Sequence, residues 1–375
     1  MKKFLIIAGE PSGDLHGGAL IRSLKKINPD LSFVGIGGDQ MIAEGLEEII
    51  HLKNISFLGF VEVIKHIPLI KRLEKKLLSV VEKENIDNII LIDYPGFNLR
   101  IAKKLKALNK KIFYYISPQI WAWKQKRVHK IKKFVDKMLV LFPFEKKFYS
   151  DFNVNVEYVG HPLIDRINEF DFCSKKELFN KFNLELNKEI LLLLPGSRIQ
   201  EVRKIFPEII KAASKLAKDF NLQIVVACSN NINENEFSEF QKKFKFKIIK
   251  NYTYNLFKHS KFGIIKSGTS TLEAALIGIP FVLVYATNYL TYLLGKQLIK
   301  IKNIGLVNIV AEEQIIDELI QKNINDKNIY NTISNYLKSD TKLSELKSKL
   351  QIVKNKLGTG NASTNAAKII MENLK

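Results

Sequence analysis

Four short stretches place reactive side chains where an apolar run stops. In "NIILIDYPGFNL" (88–99) the run ends in a carboxylate, Asp93, followed by a Tyr-Pro-Gly turn and an amide, Asn98. An ionisable group at the end of a buried strand can exchange a proton with a substrate. The plainer alternative is a solvent-facing cap. In "LLLLPGSRIQEVRKIFP" (191–207) the run stops at Pro195, Gly196 and Ser197 turn the chain, and Arg198 precedes a helix opening near Gln200 and Glu201. An arginine fork beside free helix-start amides suits a diphosphate; the alternative is a surface pair with Glu201. In "IIKSGTSTLEAAL" (264–276) Lys266 closes a strand, Ser267, Gly268 and Thr269 make a turn, and Glu273 sits one helical turn on. Such a turn holds phosphate through hydroxyls and amides, and the carboxylate reaches a ribose diol. That combination is what a nucleotide-sugar donor needs, although a lone Glu273 would also favour the helix dipole. The fourth, "AGEPSGDLHGGAL" (8–20), runs a strand into Gly9, Pro11, Ser12 and Gly13, with Ser12 or Asp14 as N-cap. It suits an anion or a sugar hydroxyl, or is a plain βα turn. It lacks the GxGxxG spacing of a dinucleotide site.

Two further stretches are defined by composition. "SPQIWAWKQKRVHKIKKF" (117–134) holds both tryptophans, Trp121 and Trp123, before a dense basic run. Aromatics among cations bind single-stranded nucleic acid, cover a sugar or sit at a membrane interface, and equally pack in a core. "FLGFVEVIKHIPLIKRLEKKLL" (57–78) sets Val61, Ile64, Ile67 and Ile70 among Lys65, Lys71, Arg72, Lys75 and Lys76. This suits a helix lying on an anionic bilayer, or an ordinary core-facing helix. No histidine pair has metal-ligand spacing and no DxD motif is present, so neither a metal nor another cofactor is expected. His161, in "VGHPLID", reads as ordering the chain between domains.

The elements that must position these residues alternate along the chain. β-like runs at 3–8, 32–38, 88–93, 111–117, 137–143 and 156–160 are separated by amphipathic stretches. After a pause, runs follow at 189–198, 222–229, 246–251, 262–268 and 280–286. The alternation predicts parallel sheets wound on both faces, hence an α/β chain of two Rossmann-like halves. A boundary within 165–185 divides it into 1–170, 171–340 and a helical tail, 341–375. The length of 375 residues accommodates two cores. The longest apolar runs are too short to span a bilayer, and "MKKFLIIAGEPSGD" reads as a first strand rather than a signal peptide. Two cysteines, Cys173 and Cys228, predict a reduced, cytoplasmic protein. The net charge of +21 favours anionic partners, but only seven of 59 basic residues are arginine, so an arginine in a loop says more than any lysine. An RNA-binding module would use that charge, yet it leaves Asp93 and Glu273 without a role.

Together these segments resemble the lipid-A-disaccharide synthases, glycosyltransferases of the two-domain GT-B fold. "AGEPSGD", "GIGG..M...G", "GFVEV", "IDYPGFNL", "YYISPQIWAWKQKRV", "LFPFEKKFY", "VGHPL", "LLPGSR..EV", "SGTSTLEAAL..IP" and "LVNIVA" occur in that order. The resemblance implies two domains facing a cleft, with C-terminal helices crossing between them. It implies condensation of UDP-2,3-diacylglucosamine with 2,3-diacylglucosamine 1-phosphate (lipid X), giving a β-1′,6-linked disaccharide and UDP with inversion at C1. Asp93 would be the base and Arg198 would neutralise the leaving UDP. Pro195, Gly196, Ser197, Ser267, Gly268, Thr269, Glu273 and Asn308 would hold the nucleotide, and Ser12, Gly13, Asp14 and Asn98 the acceptor side. Val61, Ile64, Ile67 and Ile70 would face the anionic inner surface of the cytoplasmic membrane, where the enzyme would sit peripherally, without nucleic acid. A homodimer through the tail is compatible with the resemblance. The chain departs from the family pattern at Gly96, where an Asp is common, and at Ala286, where an Arg often follows the tyrosine; Lys266 or Lys296 would then supply the missing contact. The alternative is another GT-B UDP-sugar enzyme, an epimerase or a transferase with a different acceptor.

Overall fold

The computed structural model describes residues 2–54, 67–287 and 303–374. The chain forms two compact units, Met1–Asp165 with Thr359–Lys375, and Arg166–Gly358. The boundary thus falls inside the helix Pro162–Asn168 and not after residue 170. The tail is not one body: residues up to Gly358 belong to the second unit and the remainder to the first.

The first unit is built on seven parallel strands: β1 (Lys3–Ala8), β2 (Ser32–Gly37), β3 (Leu46–His51), β4 (Asn88–Ile92), β5 (Lys111–Tyr115), β6 (Lys137–Val140) and β7 (Val156–Tyr158). Their order is β3-β2-β1-β4-β5-β6-β7. β1 and β4 are buried along almost their whole length, as strands covered on both faces must be. Leu5, Ile7, Ile89, Leu91 and Tyr114 enter one core; Phe4, Ile6, Ile90, Ile92 and Tyr115 enter the other. Among the helices are α1 (Pro11–Ile27), α2 (Asp39–Ala43), α3 (Ile67–Lys83), α4 (Pro95–Ala107), α5 (Val128–Phe134) and α6 (Pro143–Ser150). The final helix of the chain, Ala362–Glu372, packs against α1. Strand order reverses between β1 and β4, and this reversal opens a crevice at their carboxyl ends.

In α3, Ile70, Leu73, Leu77 and Val81 are buried in the core at helical spacing. Ile70 is therefore a core residue and not part of a membrane-facing patch, because its helix lays that stripe against the sheet. Val61 and Ile64 lie outside the described residues, as does the side chain of Ile67.

The second unit has six parallel strands: β8 (Glu189–Leu194), β9 (Leu222–Ala227), β10 (Lys247–Ile249), β11 (Ser260–Lys266), β12 (Phe281–Tyr285) and β13 (Glu318–Ile320), ordered β10-β9-β8-β11-β12-β13. The reversal here lies between β8 and β11. Helices α7 (Pro162–Asn168), α8 (Lys175–Lys181), α9 (Ile199–Asp219), α10 (Ser238–Gln241), α11 (Thr253–His259), α12 (Thr269–Ile277) and α13 (Leu306–Ala311) follow in chain order, then α14 (Asp326–Leu337) and α15 (Asp340–Leu357). Among the described residues, no helix is long and apolar enough to cross a membrane.

Candidate active site

At the first reversal the backbone is strained. Asp93 and Tyr94 take left-handed conformations, φ 42° and 47°, and Ile116, just past β5, does so at 67°. Non-glycine residues there cost on the order of 1–3 kcal/mol each, and such strain collects at functional sites. Neighbours hold the turn. The Asp93 carbonyl accepts from Tyr114 OH at 2.5 Å and from Asn98 Nδ2 at 2.8 Å, and Asn98 Nδ2 also donates to Ile92 O at 3.1 Å. The absence of a side chain at Gly9 admits the Tyr94 ring; a Cβ there would lie 2.1 Å from Tyr94 Cδ1. Asp93 lines a cavity of about 260 Å³ together with Ser117, Gln119, Trp123, Arg127 and Glu145. Burial pushes its carboxyl up to about 6, the charge of Glu10 adds to the shift, and the Tyr94 amide opposes it.

Glu145 was not anticipated. It is fully buried, with Oε2 accepting from Leu141 N at 3.2 Å and Phe142 N at 3.1 Å, and Oε1 from Trp121 Nε1 at 3.1 Å. Burial raises it to about 7 against those bonds, the Phe142 amide foremost. Its signal was in "LFPFE": a Glu three residues into a helix opened by proline reaches back to the N-cap amide.

Of the other residues expected on this side, Asp14 and Asn98 bind backbone groups. The N-cap of α1 is Glu10, so Ser12 lies exposed in the first turn. Gly13 packs beside Ala8. Asp14 is buried: its Oδ1 accepts from Gly38 N at 2.7 Å and Met41 N at 3.1 Å, and Oδ2 from Gln40 N at 3.1 Å. Those bonds satisfy the start of α2. Asn98 is likewise buried and supports Asp93 through its Nδ2, while its Oδ1 meets no partner among the described residues. His161 accepts from Leu163 N through Nδ1 at 3.2 Å, and burial drives its pKa down to about 3.

At the second reversal, Gly196, Ser197, Ser267, Gly268, Thr269 and Glu273 line one cavity of about 610 Å³. β8 delivers the first two and β11 the next three, and helices α9 and α12 begin beside them. Helix starts carry free amides and partial positive charge. Gly196 has φ 127°, and a Cβ there would lie 2.7 Å from Glu201 Oε2, so glycine is required. Lys266, also in the lining, pairs with Glu201 Oε1 at 2.7 Å. Glu273 accepts from Tyr254 OH at 2.8 Å, with Arg166 Nη1 3.9 Å away. Tyr254, Arg166, Phe170 and Asn251 complete walls that sequence patterning did not assign. Pro195 is buried outside the lining, and Arg198 is the exposed N-cap of α9, next to Ser197.

Asn308 sits on α13. It is fully buried; Nδ2 donates to Ile316 O and Glu318 Oε1, and Oδ1 accepts from Ile315 N and Ile316 N, at 2.8–3.0 Å. With both amide hydrogens and both lone-pair directions used, its side chain staples α13 to β13. Among the described residues, no three or more His, Cys, Asp or Glu side chains are grouped to hold a metal.

A family model described as lipid-A-disaccharide synthetase matches residues 4–373. Over 375 residues the chain is 37% identical to the lipid-A-disaccharide synthase of Geobacter sulfurreducens, covering 99% of this chain and 97% of that one. Among solved structures it superposes with the UDP-GlcNAc 2-epimerase from Neisseria meningitidis bound to UDP-GlcNAc, at TM-score 0.66 and 13% identity over 100% of both chains. It also superposes with the calicheamicin glycosyltransferase CalG4, at TM-score 0.61 and 12% identity over 99% of this chain and 98% of that one. At such identities the likeness is one of fold.

Proposed function

The chain belongs to the lipid-A-disaccharide synthetase family and is a glycosyltransferase of the GT-B fold, and we propose that it condenses UDP-2,3-diacylglucosamine with 2,3-diacylglucosamine 1-phosphate. The acceptor 6-hydroxyl oxygen bonds to C1 of the donor sugar, the C1–O bond to UDP breaks, and the hydroxyl proton passes to Asp93. A carboxyl held near 6 is ionised at neutral pH yet more basic than an ordinary aspartate, which suits a general base. That placement of Asp93, at the reversal of the first sheet, carries the reading. The helix starts of α9 and α12 take the UDP phosphates, Glu273 the ribose diol, and exposed Arg198 the charge on departing UDP. No resident metal enters this assignment. We place the enzyme at the cytoplasmic face of the membrane, where both acylated substrates reside.

The test is UDP release from UDP-2,3-diacylglucosamine with and without the phosphorylated acceptor. Acceptor-dependent release with a disaccharide product is expected. Release without acceptor, or interconversion of the sugar, would replace the transferase by an epimerase-like enzyme.

A further inference from the structure

Beside the Asp93 cavity lies a second one, about 620 Å³, between α4 and α5. Pro95 and Arg127 line both. The second cavity adds Arg100, Lys103, His129, Lys130 and Lys133 over an apolar floor of Leu99 and Phe134, and among the described residues no carboxylate lines it. In a chain of 52 lysines a basic surface alone says little, but two of the seven arginines are here. Arg100 is already tied to the buried Glu74. Among the described residues, no carboxylate pairs with Lys103, Arg127, Lys130 or Lys133, whereas lysines nearby on the same helix, Lys104 and Lys106, are both paired. Gly96, at the start of α4, has open space where a Cβ would be, so the helix-start backbone also faces the groove.

Like charges gathered around a concave apolar floor repel one another, and an anion in the middle removes that repulsion. We infer that the α4–α5 groove is a phosphate-monoester subsite that takes the 1-phosphate of the acylated acceptor. This rests on the transferase reading above. The subsite adjoins the Asp93 cavity through Pro95 and Arg127, so one acceptor molecule can present its hydroxyl to Asp93 while its phosphate is held by α4 and α5.

The experiment compares wild type with Lys103→Glu/Lys130→Glu, both exposed positions outside the catalytic cavity, in neutral detergent micelles. Two acceptors are used, 2,3-diacylglucosamine 1-phosphate and 2,3-diacylglucosamine. The KM for the phosphorylated acceptor should rise on the order of tenfold or more, with kcat, donor KM and the KM for the unphosphorylated acceptor within about twofold. No rise, or an equal rise for both acceptors, overturns the subsite. So does a loss that appears only when anionic phospholipid vesicles are added, since the cations would then be reading the bilayer. Acceptor binding without donor, followed by the fluorescence of Trp121 and Trp123, separates the two readings. If wild type releases UDP without acceptor yet binds the phosphorylated acceptor through the groove, only the transferase reading fails. If it transfers normally and the variant binds both acceptors as wild type does, only the subsite fails.

Discussion

Both cavities sit at the carboxyl edge of a parallel sheet where strand order reverses, yet they are made from opposite materials. The first is shaped by non-glycine residues forced into left-handed backbone, at Asp93, Tyr94 and Ile116, and it carries two carboxyls pushed up by burial, near 6 and near 7. The second turns on Gly196, where positive φ carries no penalty, and its charges have partners: Lys266 with Glu201, Glu273 with Tyr254 and Arg166. A desolvated carboxylate with no cation against it, such as Asp93 among the described residues, is costly to maintain and suits a place where a proton moves. Compensated charges and free amides suit a site that binds a diphosphate and releases it. On the proposed reading, the same topology serves chemistry in one half and anchoring in the other.

Asp93→Asn breaks this contrast most severely. Turnover should fall by about 10²–10⁴-fold while UDP-donor affinity, measured by calorimetry, stays within a factor of two. In wild type, kcat/KM should drop close to tenfold per pH unit below about 6, because the base is lost as its carboxylate protonates. Activity retained in the variant would return Asp93 to a capping role.

Glu273→Gln is the counterpart in the second cavity. It leaves the Tyr254 hydroxyl a weaker acceptor and removes a charge-assisted contact to a diol. Donor KM should rise by roughly ten- to hundredfold with kcat nearly unchanged. A fall in kcat with unaltered donor KM would show that anchoring and chemistry are not divided between the halves as described.

Most of this architecture was legible from apolar runs. β1 is Lys3–Ala8 as read from "KFLIIA", and the other runs lie within a few residues of β2, β4–β9, β10, β11 and β12. The two strands missed, β3 and β13, are edges: "LEEIIH" exposes two glutamates, and "ELI" is only three residues long. An edge strand is buried less, so its sequence carries less pattern. Site residues are less legible for another reason. Asp14 is bound to amides 24–27 positions away, and Asn308 to groups 7–10 positions away. A polar residue in a loop therefore looks the same in sequence whether it serves a ligand or another loop. Ile70 illustrates the same limit for apolar residues, since a stripe at helical spacing does not say what covers it.

The smallest expected effect probes the energetic side of the contrast. The Asp93 carboxyl titrates near 6 in the folded chain and near 3.8 unfolded, so the unfolded state releases its proton first. Stability therefore falls as pH rises through that interval, and above it the ionised group costs about 1–2 kcal/mol after discounting for partial exposure. Asp93→Asn should thus be more stable than wild type by that amount at pH 7.5, with the gain fading as pH falls from about 6 to about 4 and absent below that, as followed by urea unfolding across pH. A neutral residue that folds better and works worse would mark Asp93 as strain retained for the reaction. A variant less stable at pH 7.5 would instead show that the carboxylate supports the turn, and the two cavities would then differ in backbone alone.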